Sequence, residues 1–483
     1  MSISQENEFM SQYEYDAIVV GSGPNGLAAA ITLQLEGLKV LLIEGKEEIG
    51  GGTRTSELTL PGFKHDVCSA VHPMAVLSPF FSRLPLHNHG LEWLQPTIAA
   101  AHPLDDGSSG ALFNSVQETA NTLGIDSRNY ERFMAPLVKS LPSLLPELLS
   151  PFPMPANFLD LALFGLKALP PSTWIAKYFN SPQAKGLWAG MAAHSIQPLD
   201  NWLTSAIGLM LMSAAHISGW PIPKGGSNGI SKALASYFQQ IGGEIQTGYF
   251  VRNIRELPTA KAVLFDVTPR QLIDIAGEKF STSYSGRLKR YRYGMGVFKV
   301  DWALSEPVPF TNELCRKAGT VHLGGTIEEI IASEQISSDG KITSQPFVLF
   351  SQPSIVDPTR APENKHVGWG YCHVPHGAET DMTAAIESQI ERFAPGFKDT
   401  ILGRHTFSAT QMEAYNPNYI GGDINGGVQD IFQHFSRPIL SISPYRTSQK
   451  GIYICSSSTP PGGGVHGMCG YHAARRALKD GVF

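Results

Sequence analysis

The clearest pattern of hydrophobic and polar positions lies near the start of the chain. The apolar run AIVV at residues 17–20 predicts a buried strand, and VLLI at residues 40–43 predicts a second one. Between them lie a glycine-rich turn and an alanine-rich stretch, residues 24–36, that predicts a helix. A strand, a helix and a strand in about 30 residues predict a right-handed βαβ unit on a parallel sheet.

Two later parts of the chain return to this alternation. Residues 223–254 predict a glycine turn, a helix, a second glycine turn and a strand over residues 248–254. Residues 261–269 predict another core strand, and residues 451–480 predict a strand, a glycine loop and a helix. Because these pieces are separated in sequence, we expect one α/β domain to be assembled from several segments.

The stretches between these pieces differ from them in amino-acid composition and in the elements that they predict. Residues 79–220 are rich in Leu, Pro and Ala, and their prolines predict short helices rather than long ones. The apolar helices of residues 133–170 are expected to form a lid or to contact a membrane surface. Residues 291–437 are predicted to be mainly strands, with period-two alternation in GVFKVDWAL at residues 296–304.

The first glycine turn carries a recognisable motif. GSGPNG, from Gly21 to Gly26, fits GxGxxG between a strand and a helix, a loop that places a pyrophosphate at the helix N-terminus. Glu44 ends the next strand, 23 positions after Gly21, where a carboxylate accepts a hydrogen bond from a ribose 2′-hydroxyl. The residues assigned to the dinucleotide here are Gly21, Gly23, Pro24, Asn25, Gly26 and Glu44.

A second glycine segment follows at once. In GGGTRT, residues 50–55, glycines allow the chain to pass close to a cofactor, and Arg54 can pair with a phosphate or a carboxylate. The alternative is a flexible turn with a solvated arginine. The residues assigned to cofactor binding here are Gly51, Gly52, Thr53 and Arg54.

These motifs predict an α/β fold with a Rossmann-type domain assembled from discontinuous segments and an inserted α+β substrate domain with a mixed sheet and a helical lid. Residues 1–78, 221–290 and 438–483 are assigned to the first domain. Residues 79–220 and 291–437 are assigned to the lid region and the sheet of the second.

Composition and charge narrow the class. Only 16% of the 483 residues are charged, against about 25% in a typical domain, which favours large apolar cavities or faces. The net charge of −5 without a basic run argues against a nucleic-acid partner. The five cysteines form no CxxC pair, which argues against a metal site, a disulfide framework or a dithiol centre. The polar, acidic start is unlike a signal peptide and no apolar run of about 18 residues exists, so we expect a cytoplasmic protein.

The chain resembles the phytoene-desaturase-like flavoproteins over nearly its whole length. The resemblance rests on the two glycine motifs, PKGGSNGISKALASYFQQIGGEI, SQPSIVDPTRAPENKHV, YNPNYIGGDINGG and the closing GIYICSSSTPPGGGVHGMCGYHAARRAL. It implies FAD as the cofactor, with the closing segment crossing back to the flavin. We expect noncovalent binding, because the pyrophosphate and ribose contacts hold the cofactor and no strong attachment motif is visible. The further cofactor-binding residues that it implies are Val251, Gly463, Gly464 and Val465.

Candidate catalytic residues lie in three stretches. PGFKHDVCSAVHP, residues 61–73, runs toward the flavin in this family and offers Asp66 and His72, beside His65 and Cys68, as proton carriers or as structural polar groups. His466 lies in the closing segment. Lys299 resembles the lysine that reaches the flavin N5 through water in amine oxidases; the alternatives are a cross-strand salt bridge or a solvated face.

The resemblance implies an FAD-dependent desaturase, dehydrogenase or oxidase of a bulky apolar molecule such as an isoprenoid or lipid, with oxygen or a quinone as electron acceptor. A single dinucleotide motif without a redox disulfide argues against a pyridine-nucleotide disulfide reductase. The alternatives are an amine-oxidase-like oxidase and a flavin-binding regulatory protein without turnover. Peripheral membrane contact through residues 133–170 stays open beside the cytoplasmic setting.

Overall fold

The computed structural model of the chain describes residues 13–151 and 158–483. Most of the polar N-terminal stretch, residues 1–12, lies outside the described residues, as do residues 152–157 of the predicted lid region. Both sheets and both glycine motifs lie within them.

The strands fall into two large sheets and two short pairs. In chain order they are β1 Tyr15–Val20, β2 Val40–Ile43, β3 Thr55–Ser56, β4 His65–Asp66, β5 Trp93–Leu94, β6 Ile98–Pro103, β7 Ser109–Leu112, β8 Ile222–Pro223, β9 Glu244–Gln246, β10 Ala260–Phe265, β11 Gly296–Leu304, β12 Ala318–Leu323, β13 Val348–Ser351, β14 His366–Val374, β15 Ile401–Phe407 and β16 Ile452–Ile454.

The helices surround the sheets and fill the region before β8. In chain order they are α1 Pro24–Leu35, α2 Pro73–Val76, α3 Val116–Asn121, α4 Ser127–Leu148, α5 Phe158–Ala168, α6 Ser172–Ala176, α7 Pro182–Ala193, α8 Thr204–Ser218, α9 Asn228–Gln240, α10 Pro269–Ala276, α11 Thr282–Leu288, α12 Glu313–Lys317, α13 Ile327–Ser338, α14 Thr383–Phe393, α15 Ala409–Tyr415, α16 Ile431–Ser436 and α17 Met468–Lys479.

The first sheet is parallel, with strand order β16-β10-β1-β2-β9. Apolar side chains cover it because helices pack on it, as parallel sheets require. Helix α1 contacts both α9 and α17. The predicted Rossmann-type α/β core is therefore confirmed, and its strands come from the start, the middle and the end of the chain.

The second sheet is mixed, with strand order β15-β11-β14-β13-β12-β6-β7. Only β12 and β6 pair in parallel among its described strands; the other neighbours are antiparallel. The alternation predicted for β11 is confirmed, because Phe298, Val300 and Trp302 lie in an apolar cluster on one face and Lys299 and Asp301 contact each other on the other. Two-sided burial explains why every residue of β11 is buried. The proposed segment boundaries remain a prediction.

The strand predicted over residues 248–254 is wrong. The strand at this edge of the first sheet is β9, which ends at Gln246, and residues 248–253 follow no regular element. Gly248 has a φ of +70°, a left-handed conformation that turns the chain out of the sheet direction. Its amide donates to the carbonyl of Lys46, so the segment folds over the end of β2 instead.

The prediction of only short helices in residues 79–220 is also wrong. Helix α4 has 22 residues although Pro136, Pro142 and Pro146 lie inside it. All three prolines are on the exposed side, where water can satisfy the carbonyls left without an N–H partner. The opposite side buries Tyr130, Phe133, Met134, Leu137, Leu141, Leu144 and Leu145 at helical spacing, and this burial stabilises the helix despite the prolines.

Helix α5 exposes an apolar face. Phe158, Leu159, Leu163 and Leu166 each expose at least 60% of their surface, so this helix carries more apolar area to the outside than its neighbours. Among the described residues, no helix is both long enough and apolar enough to cross a membrane.

Candidate functional site

A cavity of about 370 Å³ is lined by residues of both large sheets. We call the part formed by the two glycine motifs and the strand ends of the first sheet the nucleotide end. The part formed by Trp220, Thr320, Leu349, Trp369 and Tyr371 is the sheet end. One continuous space therefore joins the predicted dinucleotide site to the face of the second sheet.

At the nucleotide end, the GxGxxG loop leads directly into α1. The helix begins after Gly23, which has no side chain to cap it, so that the amides of its first turn can interact with an anionic group. Gly21 has a φ of +104°, and a Cβ on Gly26 would lie 1.9 Å from the Gly21 carbonyl oxygen. A Cβ on Gly23 or on Gly52 would lie only 2.8 Å from a side-chain oxygen of another residue that lines the cavity. These backbone positions fit a diphosphate passing close to the chain.

The carboxylate of Glu44 is held by three residues at the end of β2. Its Oε2 accepts hydrogen bonds from the Ser22 amide at 3.1 Å and the Ser22 hydroxyl at 2.5 Å. Its Oε1 accepts from the Lys46 amide at 2.9 Å and lies 3.0 Å from Arg54. The arginine is buried rather than solvated, so its nearest charge partner here is a carboxylate. Glu44 lines the cavity.

Asp266 completes the nucleotide end and was not among the site residues predicted from the sequence. It follows β10, and its Oδ2 accepts a hydrogen bond from the Gly26 amide at 2.9 Å. Burial, together with the charge of Glu44, raises the pKa of Asp266 to about 7, although the Gly26 amide favours the ionised form. The available signal was an acidic residue at the carboxyl end of a parallel strand, the edge at which such sheets bind ligands.

The closing segment reaches the cavity before its helix begins. Gly464 and Val465 line the cavity, whereas α17 starts at Met468. A Cβ on Gly470 would lie 1.7 Å from the carbonyl oxygen of Asn25, so α17 packs directly against the start of α1. Of the predicted cofactor-binding residues, those that line the cavity are Gly21, Gly23, Pro24, Asn25, Glu44, Gly51, Gly52, Thr53, Arg54, Val251, Gly464 and Val465. Gly26 and Gly463 lie behind them.

Asp66 and His72 lie in a buried polar network next to the cavity. Asp66 accepts from the Thr55 hydroxyl at 2.8 Å and the Ser227 amide at 2.7 Å, and it pairs with buried Arg360 at 2.6 Å. His72 Nε2 shares a hydrogen bond of 2.7 Å with the Ser227 hydroxyl. Burial lowers the pKa of His72 to about 4, so its ring is neutral. Neither residue lines the cavity, and these contacts join the second glycine motif to the segment before α9.

His466 lies behind the glycines of the closing segment. Its Nδ1 accepts a hydrogen bond from the Met468 amide at 3.0 Å, which places it at the start of α17. Its carbonyl accepts from the Ser78 hydroxyl at 2.6 Å. Burial lowers the pKa of His466 to about 4. The ring is therefore a neutral helix-terminus partner one layer away from the cavity.

Lys299 is buried in an ion pair rather than exposed on a solvated face. Its Nζ pairs with Asp301 and lies 5.6 Å from the centre of the Trp369 ring, which itself lines the cavity. Burial lowers the pKa of Lys299, and the charge of Asp301 offsets this only in part. Burial raises the pKa of Asp301, but the charge of Lys299 and the side-chain contact with His405 outweigh it, so that this pKa is lowered.

Two imidazoles extend this cluster at the back of the sheet end. His65 Nδ1 lies 3.6 Å from Asp301 Oδ1, and His405 Nδ1 lies 3.8 Å from Asp301 Oδ2. Burial lowers the pKa of His65 to about 4, which keeps that ring neutral. Lys299, Asp301 and the two imidazoles thus form one polar cluster behind the aromatic wall of the cavity.

The sheet end is built by strand register. Thr320, Ser351 and Trp369 are consecutive cross-strand partners on β12, β13 and β14. The next row on the same face of the sheet contains His322, Leu349 and Tyr371. Because alternate residues of a strand share a face, Thr320, Leu349, Trp369 and Tyr371 line the same wall. None of these four residues was predicted from the sequence. The alternation in β14 places Trp369 and Tyr371 on one face, and Thr320 and Leu349 join them only once the pairing of β12 and β13 is known.

Aromatic rings and neutral imidazoles dominate this wall. The Trp369 and Tyr371 rings are 5.3 Å apart and nearly perpendicular. His194 lines the cavity, its Nε2 lies 3.0 Å from Nε2 of buried His322, and its ring packs edge-on against Trp220. Burial lowers the pKa of His194 to about 3 and that of His322 well below its usual range. Both rings are therefore neutral.

Comparisons with known proteins agree with this arrangement. The pattern that defines NAD(P)-binding Rossmann-like domains matches residues 19–84. The chain is 26% identical to "Pyridine nucleotide-disulfide oxidoreductase domain-containing protein 2" of Rattus norvegicus, over 97% of this chain and 94% of the rat protein. It is 22% identical to a limonene dehydrogenase chain of Castellaniella defragrans, covering 96% and 94%. It is 20% identical to a lycopene-forming phytoene desaturase of Paracoccus, covering 94% and 95%.

Solved structures share the fold over nearly the whole chain. An oxidoreductase from Methanosarcina mazei has a TM-score of 0.65 at 14% identity, covering 96% of this chain and 99% of that one. A putrescine oxidase triple mutant has a TM-score of 0.60 at 15% identity, covering 96% and 98%. Both large sheets of the present chain therefore belong to one shared architecture.

Proposed function

We infer that this chain, which belongs to the superfamily of FAD-dependent oxidoreductases, oxidises a bulky apolar molecule at the sheet end of its cavity. The observation that supports this is the continuity of the cavity from the glycine motifs to the aromatic wall. Relatives named for limonene and phytoene agree with an apolar substrate. FAD supplies the redox chemistry when it is bound.

Residues at the nucleotide end would hold the cofactor. The uncapped start of α1 and the glycines of both motifs would take the diphosphate, and Glu44 would accept from the ribose. The closing segment, through Gly464 and Val465, would contact the far part of the cofactor.

Residues at the sheet end would position the substrate and exclude water. Trp369, Tyr371, Trp220 and Leu349 form an apolar wall for a carbon skeleton. Lys299, behind Trp369, would stabilise negative charge that develops beside this wall, because a preorganised ammonium acts strongly in a water-poor site. His72, Asp66 and His466 would serve as positioning residues through the backbone that they hold.

An amine-oxidase-like activity is the second candidate. The perpendicular pair of Trp369 and Tyr371 favours it, as does the structural likeness to a putrescine oxidase. The acidic residues among the described lining residues, Glu44 and Asp266, both lie at the nucleotide end. A cationic amine would therefore lack a carboxylate partner at the sheet end.

The test is anaerobic mixing of oxidised, FAD-loaded protein with terpenoid, aromatic and amine libraries while the flavin absorbance is recorded. Bleaching by an apolar compound supports the proposal, and bleaching confined to amines supports the second candidate. Bleaching by no compound favours a flavin-binding protein without turnover. Mixing reduced protein with oxygen or with menadione then identifies the electron acceptor.

The exposed face of α5 is proposed to act as a lid or as a peripheral membrane contact. Replacing Leu159, Leu163 and Leu166 together by Ser removes its apolar area without touching the cavity. Loss of sedimentation with phospholipid vesicles, with FAD content unchanged, would support membrane contact.

A further inference from the structure

Large apolar side chains are exposed at α16 and in the stretch that follows it. Phe432 and Phe435 are three positions apart, so they lie on the same side of the helix, and they are 80% and 64% exposed. Leu440 and Ile442 come just after the helix and are 77% and 94% exposed. We call these four residues the α16 surface. Apolar side chains grouped at such exposure mark a surface that contacts a partner.

The segment that packs beside the α16 surface is basic. Residues 281–292 contain four cations and neither Asp nor Glu. Arg292 pairs with Asp430 at 2.6 Å, and its backbone amide and carbonyl bond to the side chain of Gln433 in α16 at 2.9 and 2.7 Å. Ile439, which follows α16, lies in the same apolar cluster as residues of α11. The basic segment therefore adjoins the α16 surface along its length.

Three cations of this segment are available to an anionic partner. Arg287, Lys289 and Arg290 are exposed, and none of them forms an ion pair with another described residue. Asp430, the acidic residue of the adjoining stretch 428–442, is already paired with Arg292. The chain as a whole has a net charge of −5, so this positive region is a local exception that would orient the protein toward an anionic surface.

Apolar side chains next to unpaired cations fit a membrane of anionic lipids. Such side chains enter the boundary between headgroups and acyl chains, while Lys and Arg beside them meet the phosphates. An acidic protein would also attract the cations, but it would need matching pockets for the four projecting apolar side chains. A lipid layer accepts these side chains in any arrangement, so the combination favours a membrane.

Both parts of this region contact residues that line the cavity. Arg437, directly after α16, donates to the carbonyl of Ser457 at 3.2 Å. The hydroxyl of Tyr291, in the basic segment, donates to the carbonyl of Gly426 at 2.7 Å. A membrane docked here would therefore lie close to one wall of the cavity.

We propose that the α16 surface, together with Arg287, Lys289 and Arg290, docks the protein on membranes that contain anionic lipids. Docking would bring the cavity close to a bilayer in which an apolar substrate is dissolved. This consequence rests on the proposed function, whereas the docking itself does not.

The test is co-sedimentation of the full, FAD-loaded chain with two kinds of vesicle, one of phosphatidylcholine alone and one of equimolar phosphatidylcholine and phosphatidylglycerol. We expect at least about tenfold tighter binding to the mixed vesicles. High salt should remove most of this gain, because it screens the cations. No substrate is present and flavin reduction is not measured, so docking and the proposed function can fail independently.

Two variants remove the two parts of the region separately. The apolar variant carries Phe432→Ser, Phe435→Ser, Leu440→Ser and Ile442→Ser. The charge variant carries Arg287→Gln, Lys289→Gln and Arg290→Gln. Each should weaken binding to the mixed vesicles by about tenfold or more. Because all of these side chains are exposed, FAD content and Tm should stay those of the wild type.

Matched control variants are made at α5 and α4, which contact each other. The α5 variant carries Leu159→Ser, Leu163→Ser and Leu166→Ser. The α4 variant carries Arg128→Gln, Arg132→Gln and Lys139→Gln, which are exposed cations like those of the basic segment. Both control variants should bind the mixed vesicles within about threefold of the wild type.

Equal binding to the two kinds of vesicle, or no binding to either, would overturn the proposal. Loss of binding in the α4 and α5 variants, with wild-type binding in the apolar and charge variants, would move the contact to α5 and also overturn it. A wild-type dimer that the apolar variant converts to a monomer in sedimentation velocity, without vesicle binding, would assign the α16 surface to a second copy of the chain. If the apolar variant does not fold, Phe432→Ser combined with Phe435→Ser decides the result.

Discussion

At the nucleotide end of the cavity the charged side chains contact one another, whereas at the sheet end two buried polar groups have no hydrogen-bond partner among the described residues. Glu44 is fixed by Ser22, Lys46 and Arg54 before any ligand arrives. Trp369 and Thr320 have no such partners. A site that is satisfied in advance suits a cofactor that stays, because little has to rearrange on binding.

We expect the largest effect from a substitution that disturbs the backbone of the nucleotide end. Gly26→Ala would place a Cβ 1.9 Å from the Gly21 carbonyl oxygen, and backbone atoms cannot move aside cheaply. We expect loss of FAD and a fall in Tm of more than about 10 °C, or no folded protein. Gly286→Ala, in α11, meets no atom within 4 Å and should behave like the wild type in both measurements. Normal FAD content in Gly26→Ala would show that the loop is not packed as described.

We expect the next largest effect from Lys299, because it is buried in an ion pair behind the aromatic wall of the sheet end. Lys299→Met leaves Asp301 as an unpaired buried carboxylate, which we expect to destabilise the protein by about 3–5 kcal/mol. If Lys299 also acts on the reaction, flavin reduction or reoxidation should slow by about tenfold or more.

A second variant separates these two effects. Lys299→Met combined with Asp301→Asn removes the unpaired charge and should recover most of the stability measured by urea unfolding. Stopped-flow half-reactions on this double variant then report catalysis alone. Wild-type rates in both half-reactions would leave Lys299 with a structural role only.

Glu44 tests whether the nucleotide end holds the cofactor through the ribose. Glu44→Gln keeps the size of the side chain and removes its charge, so we expect FAD binding to weaken by about 1–3 kcal/mol. Fluorescence titration of the apoprotein with FAD measures this directly. Ligand binding at the sheet end should stay the same once the variant is saturated with FAD, because Glu44 lies at the other end of the cavity. An unchanged FAD affinity would contradict the ribose assignment.

Asp266 should make the nucleotide end sensitive to pH. Its pKa is raised from 3.8 to about 7, chiefly by burial and then by the Glu44 charge, so the folded protein keeps a proton that the unfolded chain loses in this range. The contribution to stability is therefore complete below about pH 4 and is lost as the pH rises to about 7. An ionised Asp266 would also repel a diphosphate, so FAD affinity should fall as the pH rises through about 7.

The control for this effect is Asp266→Asn. The amide does not ionise, so the variant should show a flatter dependence of apoprotein Tm and FAD affinity on pH between about 5 and 8. The wild type and the variant should have similar FAD affinity at low pH, where Asp266 is neutral. Identical pH profiles would show that Asp266 does not carry the effect. The sheet end, with its neutral imidazoles, should contribute little in this range.

The sequence predicted the nucleotide end because its signals are local. The GxGxxG loop, the following helix and Glu44 all lie within one βαβ unit, so spacing along the chain reflects spacing in the fold. The resemblance to phytoene-desaturase-like flavoproteins is confirmed by relatives that are named as phytoene and diapophytoene desaturases. Asp266 was missed because it enters the site from β10, 240 positions after Gly26.

The sheet end could not be predicted in the same way. Thr320, Leu349 and Trp369 come from three strands, and their common face depends on a register that no single stretch encodes. The prediction of short helices failed at α4 because it also depended on tertiary packing. Burial of one side of the helix outweighs its three prolines. The roles predicted for Lys299, His466, Asp66 and His72 remain predictions.

The packing of α17 on α1 has a consequence for how the protein is made. Helix α1 is translated before the second sheet, and the helix that covers it is translated after that sheet. The strand β16, which completes one edge of the first sheet, also follows the second sheet in the chain. The apolar face of α1 therefore stays uncovered while more than 400 residues are translated between α1 and α17, which makes chaperone binding and slow maturation expected features of its biogenesis. Cofactor loading would have to wait until α17 has been translated.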